Sequence, residues 1–261
     1  MLKRYLGLFL IAIVVIISFL APLIIKHNPL SQKFPSFKTP TINHPFGTDE
    51  LGRDLFSRVV HGVRSSLVNA LFAVSLALLA GLIVGMVSGY YGGFVDSVLM
   101  RIVDIFLAFP YILGAIVLMV VLKQSSFSVS VAIAAFLWAS FARLYRASVL
   151  EVKEKDYVKA AIAMGAGDLR IMTRHILPNS VATLIVYATL GVGSAILAEA
   201  VLSFVGLGLQ HPAPSLGLIL SDAVNYLDRA PQMMWFPGFF LIILVLGFIM
   251  CGDGLNEYIR S

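Results

Sequence analysis

At 261 residues, 59% of them hydrophobic and only 13% charged, this chain falls well below the roughly 25% charged residues of ordinary soluble domains. That composition excludes a water-soluble globular enzyme or binding module and places most of the chain in an apolar solvent. The formal net charge of +5 is not gathered into a basic stripe interleaved with aromatics, so a nucleic-acid surface is excluded too.

In chain order, apolar runs stand near 5–25, 66–90, 102–122, 129–149, 181–205 and 233–251. A hydrocarbon core about 30 Å thick takes about 20 residues of helix. Backbone groups in lipid must be satisfied within a helix or a closed barrel, and no alternating pattern marks a barrel. The expectation is an all-α polytopic membrane protein with six transmembrane helices. The first run follows Lys3 and Arg4 and exceeds the about 7–15 apolar residues of a secretory signal, so it reads as an uncleaved helix.

Residues 26–64 carry Pro29, Pro35, Pro40 and Pro45 and predict an irregular strap over the outer surface. The chain thus divides into residues 1–64, a first helix and strap; residues 65–254, a core of five helices; and residues 255–261, a short tail. Within the strap, Asp49, Arg53, Asp54 and Arg58 set opposite charges at helical spacing and predict an ion-pair network bracing it to the bundle. Gly81, Gly85 and Gly89 form small-xxx-small pairs that predict close helix packing within the bundle. Asp96 and Asp104 flank Arg101 as local pairs, while Arg143 and Arg146 are placed to snorkel to the inner interface.

A polar, helix-forming island then interrupts the apolar pattern from Glu151 to Pro178. Val152, Tyr157, Ala160, Ala161 and Met164 recur at helical spacing among Lys153, Glu154, Lys155, Asp156 and Lys159, which predicts an amphipathic helix. Gly165-Ala166-Gly167 supplies a left-handed exit. Asp168 is placed to cap a second helix from Leu169 to Leu177, which Pro178 separates from the next run. Two short helices meeting at a glycine corner make a knuckle suited to a groove on a soluble partner, the alternative being an ordinary solvated loop. Lys and Arg concentrate in 143–174, which puts this segment and both termini on the inner side.

Glu199 lies deep in the fifth run with Ser203 one turn later. An acid at that depth must face protein or a water-filled path, so the pair is a candidate for the translocation path or its gate, against a satisfied interhelical hydrogen bond. Gly206, Gly208, Pro212 and Pro214 break the chain before a short amphipathic piece at 215–228, and Pro231 and Pro237 introduce a last helix ending at Gly252-Asp253-Gly254. The five histidines are scattered and predict no metal site. The lone Cys251 has no cysteine to pair with. No phosphate-cradling Gly-x-x-x-x-Gly-Lys-Ser/Thr loop is present, so no cofactor is expected in this chain and none of its residues is a candidate catalyst.

Lys159-Ala160-Ala161, Gly165 and Leu177-Pro178 are spaced as in the cytoplasmic loop of ABC importer permeases, whose consensus opens Glu-Ala-Ala and closes Ile-x-Leu-Pro. Lys159 stands where that consensus has Glu, and His175 where it has Ile. His44 through Arg58, Gly62-Val63-Arg64, Glu199 through Gly208, Pro214 through Gly217 and Phe236-Pro237-Gly238 with Gly252-Asp253-Gly254 resemble, in order, the C-type permeases of the peptide and nickel branch. The resemblance implies a type I ABC importer permease fold in a bacterial cell membrane, with ATPase-coupling residues Tyr157, Lys159, Ala160, Ala161, Met164, Gly165, Gly167, Asp168, Leu177 and Pro178. It also implies a second homologous permease, two cytoplasmic ATPases that bind the ATP and magnesium, and an extracytoplasmic substrate-binding protein. The implied cargo is a di- or oligopeptide, with nickel or a metal chelate as the alternative. A secondary transporter or channel would need paired ionisable groups inside the membrane, where Glu199 stands alone.

Overall fold

The computed structural model describes residues 2–24 and 27–260. Lys26, counted above with the strap, and Ser261, at the end of the tail, lie outside the described residues. The described chain is built of helices: α1 (Leu2–Ile24), α2 (Leu55–Tyr91), α3 (Gly93–Ala108), α4 (Tyr111–Val121), α5 (Ser126–Lys153), α6 (Asp156–Ala163), α7 (Asp168–Ile171), a π-turn at Met172–Ile176, α8 (Leu177–Phe204), α9 (Leu216–Val224) and α10 (Gln232–Arg260). Four helical stretches are long and apolar enough to cross a membrane, and the bent pair α3–α4 makes a fifth. The chain is a multi-pass membrane protein.

The centre of the bundle is α2 laid along α5. In lipid no hydrophobic force drives helices together, so association rests on close van der Waals approach over small residues. A Cβ on Gly85 would stand 2.7 Å from the Ala142 carbonyl oxygen, and one on Gly89 would stand 2.8 Å from Val149 Cγ1. The glycine ladder is thus the seat of α5. A second close pair joins α1 to α10, where a Cβ on Gly7 would meet the Cys251 backbone nitrogen at 2.5 Å. The core between α2, α5, α8 and α9 is filled by Val59, Val63, Leu67, Ile133, Ile196, Leu202 and Ile219.

Four boundaries differ from the sequence expectation. Helix α2 begins at Leu55, because Asp54 accepts from the Ser57 amide at 2.8 Å and caps it well before the apolar run near 66 begins. The third run is not one helix: it starts at Gly93 and is bent by 85° between α3 and α4. Pro110 restricts the residue before it, and Phe109 sits in the extended region at φ −93°, ψ 133°. Pro178, by contrast, breaks nothing, and the helix runs through it from Asp168 to Phe204. Its missing amide falls in the first turn of α8, and the widened π-turn before it opens the space its ring needs. Finally, α10 continues through Gly252-Asp253-Gly254 to Arg260.

Candidate functional site

The two polar islands of the sequence lie at opposite ends of the bundle. At the strap end, Asp49 is fully buried and accepts from Arg53 Nε at 2.6 Å and Arg58 Nη1 at 2.5 Å. Its other oxygen takes the backbone amides of Arg53 at 2.8 Å and Leu51 at 3.0 Å. Asp54 does not join the arginines; it pairs with His44 at 2.8 Å while capping α2. Asp222 of α9 lies 3.4 Å from Arg58 and brings in an element the sequence spacing could not show. Phe46 stacks on Phe236 of α10 at 3.9 Å between centroids, so the strap is clamped to three helices.

At the other end, α6, α7 and the π-turn form the knuckle. Val152, Val158, Ile171 and Ile176 turn inward onto Tyr145, Val149 and Leu184. Tyr145 and Ser180 share a hydrogen bond of 2.9 Å beneath them. The Tyr90 hydroxyl donates to Asp168 at 2.8 Å, and Lys153 Nζ donates to the Tyr90 carbonyl at 2.6 Å, fixing the knuckle to the end of α2. Asp168 is therefore a tether; the N-cap position of α7 belongs to Gly167 and carries no side-chain bond. Gly165, at φ +79°, makes the corner. A Cβ added there would meet nothing within 4 Å, so the glycine is required by backbone conformation alone.

The knuckle's outward face is the unexpected part. Of the residues read as its apolar stripe, Val152 and Ala161 are buried, but Tyr157 is 45% and Met164 80% exposed, with Leu169 across the corner at 72%. The inward position on α6 belongs to Val158, which the stripe omitted. Lys159 reaches back to Glu154 at 2.9 Å. That contact holds the Glu154 carboxyl below its ordinary value and the Lys159 ammonium above its own.

The π-turn makes the knuckle continuous with α8. The wider turn frees carbonyls, and side chains take them: Asn179 Nδ2 donates to the His175 oxygen at 2.6 Å and Ser180 Oγ to that of Ile176 at 2.9 Å. The acids near Arg101 pair elsewhere than expected. Asp96 takes a two-pronged bond from Arg146 and a third from Ser88, and Asp104 pairs with Arg143. These arginines thus bind α3 to α5.

Glu199 and Ser203 lie inside the chain's own bundle. Ser203 Oγ donates to Glu199 at 2.8 Å and accepts from the Leu209 amide at 3.3 Å. Ser66 of α2 and the α9 N-cap Ser215 lie close enough to interact with the same carboxyl group. Gly217 packs so closely on the Ala200 backbone that any Cβ there would overlap it.

The family described as binding-protein-dependent transport system inner membrane component matches residues 81–261. The chain is 44% identical over 253 residues to the dipeptide transport system permease protein DppC of Alkalihalophilus pseudofirmus, covering 96% of this chain and 83% of that one. It is 38% identical to the oligopeptide transport system permease protein OppC of Bacillus subtilis, with 96% and 83% covered. It is 40% identical to the glutathione transport system permease protein GsiD of Pectobacterium atrosepticum, with 84% and 72% covered. In fold it resembles the inward-facing methionine ABC transporter MetNI, with a TM-score of 0.65 at 21% identity over 79% of this chain and 98% of that one.

Proposed function

The chain belongs to the inner membrane components of binding-protein-dependent transport systems, and from that premise we propose that it is the permease subunit of an ATP-driven importer of di- and oligopeptides. The names of its relatives, dipeptide, oligopeptide and glutathione, support the peptide class over nickel or a metal chelate.

The observation that carries the transport reading is the knuckle: large apolar side chains held in water on a rigid corner. Tyr157, Met164 and Leu169 expose their surface on elements whose opposite faces are packed, the arrangement of a preformed docking surface. Its partner is a cytoplasmic ATPase, one of two, with a second homologous permease completing the membrane part. ATP binding draws the ATPases together, and each carries its knuckle. Because α7, the π-turn and α8 run on as one helical stretch from Asp168 to Phe204, motion at the knuckle is delivered along α8 into the membrane as a rigid-body rotation. A binding protein on the strap side delivers the peptide when the bundle opens outward. In this reading the knuckle end and both termini face the cytoplasm.

Glu199 and Ser203, candidates for the path, have a geometry that favours a different role. Glu199 faces Ser66 of α2 and Ser215 of α9, and Ser203 accepts from the Leu209 amide of the 206–214 loop, an arrangement suited to fastening the strap-side elements.

Uptake by cells carrying the complete operon, with this subunit deleted or restored, tests the reading: radiolabelled dipeptide uptake is expected to follow the subunit and radioactive nickel uptake to ignore it. Nickel dependence alone would move the cargo to the metal class, and dependence on neither would remove the peptide assignment.

A further inference from the structure

Two cavities of about 500 Å³ each lie along the α5–α8 face and share one residue, Tyr187. The one nearer the knuckle is lined by Glu151, Asn179, Thr183 and Asn256, groups that hydrogen-bond. The other lies at the bend between α3 and α4, lined by Phe109, Tyr111, Phe136, Ser140 and Ser194. Along α8, from Asn179 to Ser194, the pair spans roughly 22 Å at the helical rise, most of the about 30 Å hydrocarbon thickness.

Two observations say that this surface is not finished by lipid and faces either the second permease or water, the boundary along which a path would run. Non-helical backbone at membrane depth is tolerated only where protein covers it or a water-filled cavity meets it. Phe109, the extended residue at the break, is 59% exposed in this chain, so either the second permease of the proposed importer or a water-filled space must meet it. The last-turn carbonyls of α3 have no following helical turn, and Pro110 contributes no N–H. Tyr187 gives the second observation: at the waist between the cavities its hydroxyl has no hydrogen-bond partner among the described residues. Tyr111, by comparison, spends its hydroxyl on the Ser194 carbonyl at 3.2 Å.

We propose that the two cavities are this chain's wall of the translocation path and that Tyr187 is its waist, donating to backbone carbonyls of the peptide in transit. The inference rests on the importer reading and names where that importer holds its cargo. A short peptide matches the wall at each level. Its side chains find Phe109 and Phe136, its amides find Tyr187 and Ser194, and its ammonium group finds the α3 carbonyls at the bend and, further along the path, Glu151. An acyl chain would leave those polar groups unmatched.

The test uses the whole transporter, both permeases with the ATPases and binding protein, in proteoliposomes. In a Cys251→Ala background, Tyr187→Cys and the near-isosteric Ser194→Cys are treated with a charged methanethiosulfonate reagent, with Val117→Cys, on an exposed position of α4, as the lipid-face control. Positions 187 and 194 are expected to react, 117 not to; reaction is expected to abolish uptake of radiolabelled dialanine, and excess dialanine to slow the labelling. Unreactive thiols at both positions, or labelling that leaves uptake intact, would overturn the path. A parent transporter that takes up no dialanine would overturn the peptide reading instead, and labelling at 187 and 194 with loss of transport-coupled ATP hydrolysis would still uphold the wall.

Discussion

The strap end and the knuckle end are built from the same residue types, charges with glycines and prolines between apolar runs, and the chain treats them in opposite ways. At the strap the charges are buried: Asp49, Arg53, Asp54 and Arg58 are each nearly inaccessible, with Asp49 bonded to both arginines, Arg58 near Asp222 and Asp54 paired with His44. At the knuckle the charges stay exposed and large apolar side chains are exposed beside them. A polar segment whose charges are satisfied within the chain is architecture. One that leaves Met164 and Leu169 exposed is, in the reading proposed above, a docking surface.

The largest expected effect breaks the strap side of that comparison. Asp49→Ala leaves two buried guanidinium groups without their shared carboxylate, Arg53 keeping Glu50 and Arg58 only Asp222 at 3.4 Å, and removing one partner from a buried ion pair costs about 3–5 kcal/mol. That is a large share of the stability of a typical domain. The expected outcome is loss of the monodisperse peak in size-exclusion chromatography of the detergent-solubilised protein. An Asp49→Ala protein that survives with an unchanged melting temperature would mean the strap is not clamped by this cluster.

The knuckle should answer in the reverse sense. Met164→Asp combined with Leu169→Asp removes apolar surface that the free chain does not bury, so the melting temperature should hold. Association with the ATPase should weaken, since central apolar anchors of an interface are each worth about 2 kcal/mol or more, roughly 30-fold in Kd. Gly165→Pro, which cannot adopt φ +79°, should likewise stay in the membrane and lose the ATPase on co-purification. A drop in melting temperature with intact assembly would reverse the two assignments.

A subtler distinction is electrostatic. Burial, reinforced by the Asp49 carboxylate, pushes the Glu50 carboxyl above its ordinary 4.5. The folded chain therefore holds this proton to higher pH than the unfolded chain. The contribution to stability is complete below about pH 4.5 and declines as pH rises through the folded value. Glu50→Gln keeps an acceptor for Arg53, bonded at 2.5 Å in the native pair, and is expected to flatten that decline in melting temperature measured from pH 4 to 7. An unchanged slope would show that Glu50 titrates as a solvated group.

How much of this was legible follows from what a linear pattern encodes. Helix type, the strap, the glycine ladder and the knuckle's Gly165 corner are local or periodic signals, and they were readable. Partner choice was not, because it depends on which elements meet. Asp96 and Asp104 look paired with Arg101 along the chain, yet the packing of α3 on α5 hands them to Arg146 and Arg143. Asp222 joins Arg58 only because α9 folds back over the strap. The prolines show the same lesson: Pro110 breaks its span and Pro178 does not, and the difference lies in the π-turn, which carries no sequence signature of its own. Tyr157 and Val158 exchange roles because a helix as short as α6 is oriented by what it packs on.

The smallest expected effect concerns Lys159 and Glu154, which pair at 2.9 Å on the exposed knuckle. Glu154, its carboxyl lowered, contributes above its unfolded value and loses that as pH falls through the folded one. Lys159, its ammonium raised, contributes below 10.5 and loses that as pH rises further. Both contributions are present near neutrality, yet both side chains are more than half exposed and screened by salt. Lys159→Ala should therefore leave the melting temperature unmoved. At the rim of an apolar docking surface, a charge acts on the approach of the partner more than on the strength of the complex. The variant is expected to change the association rate of the ATPase at low salt and to match the parent at about 0.5 M, where the screening length has fallen to a few ångströms. A change that persisted at high salt would place Lys159 inside the contact, among Tyr157, Met164 and Leu169.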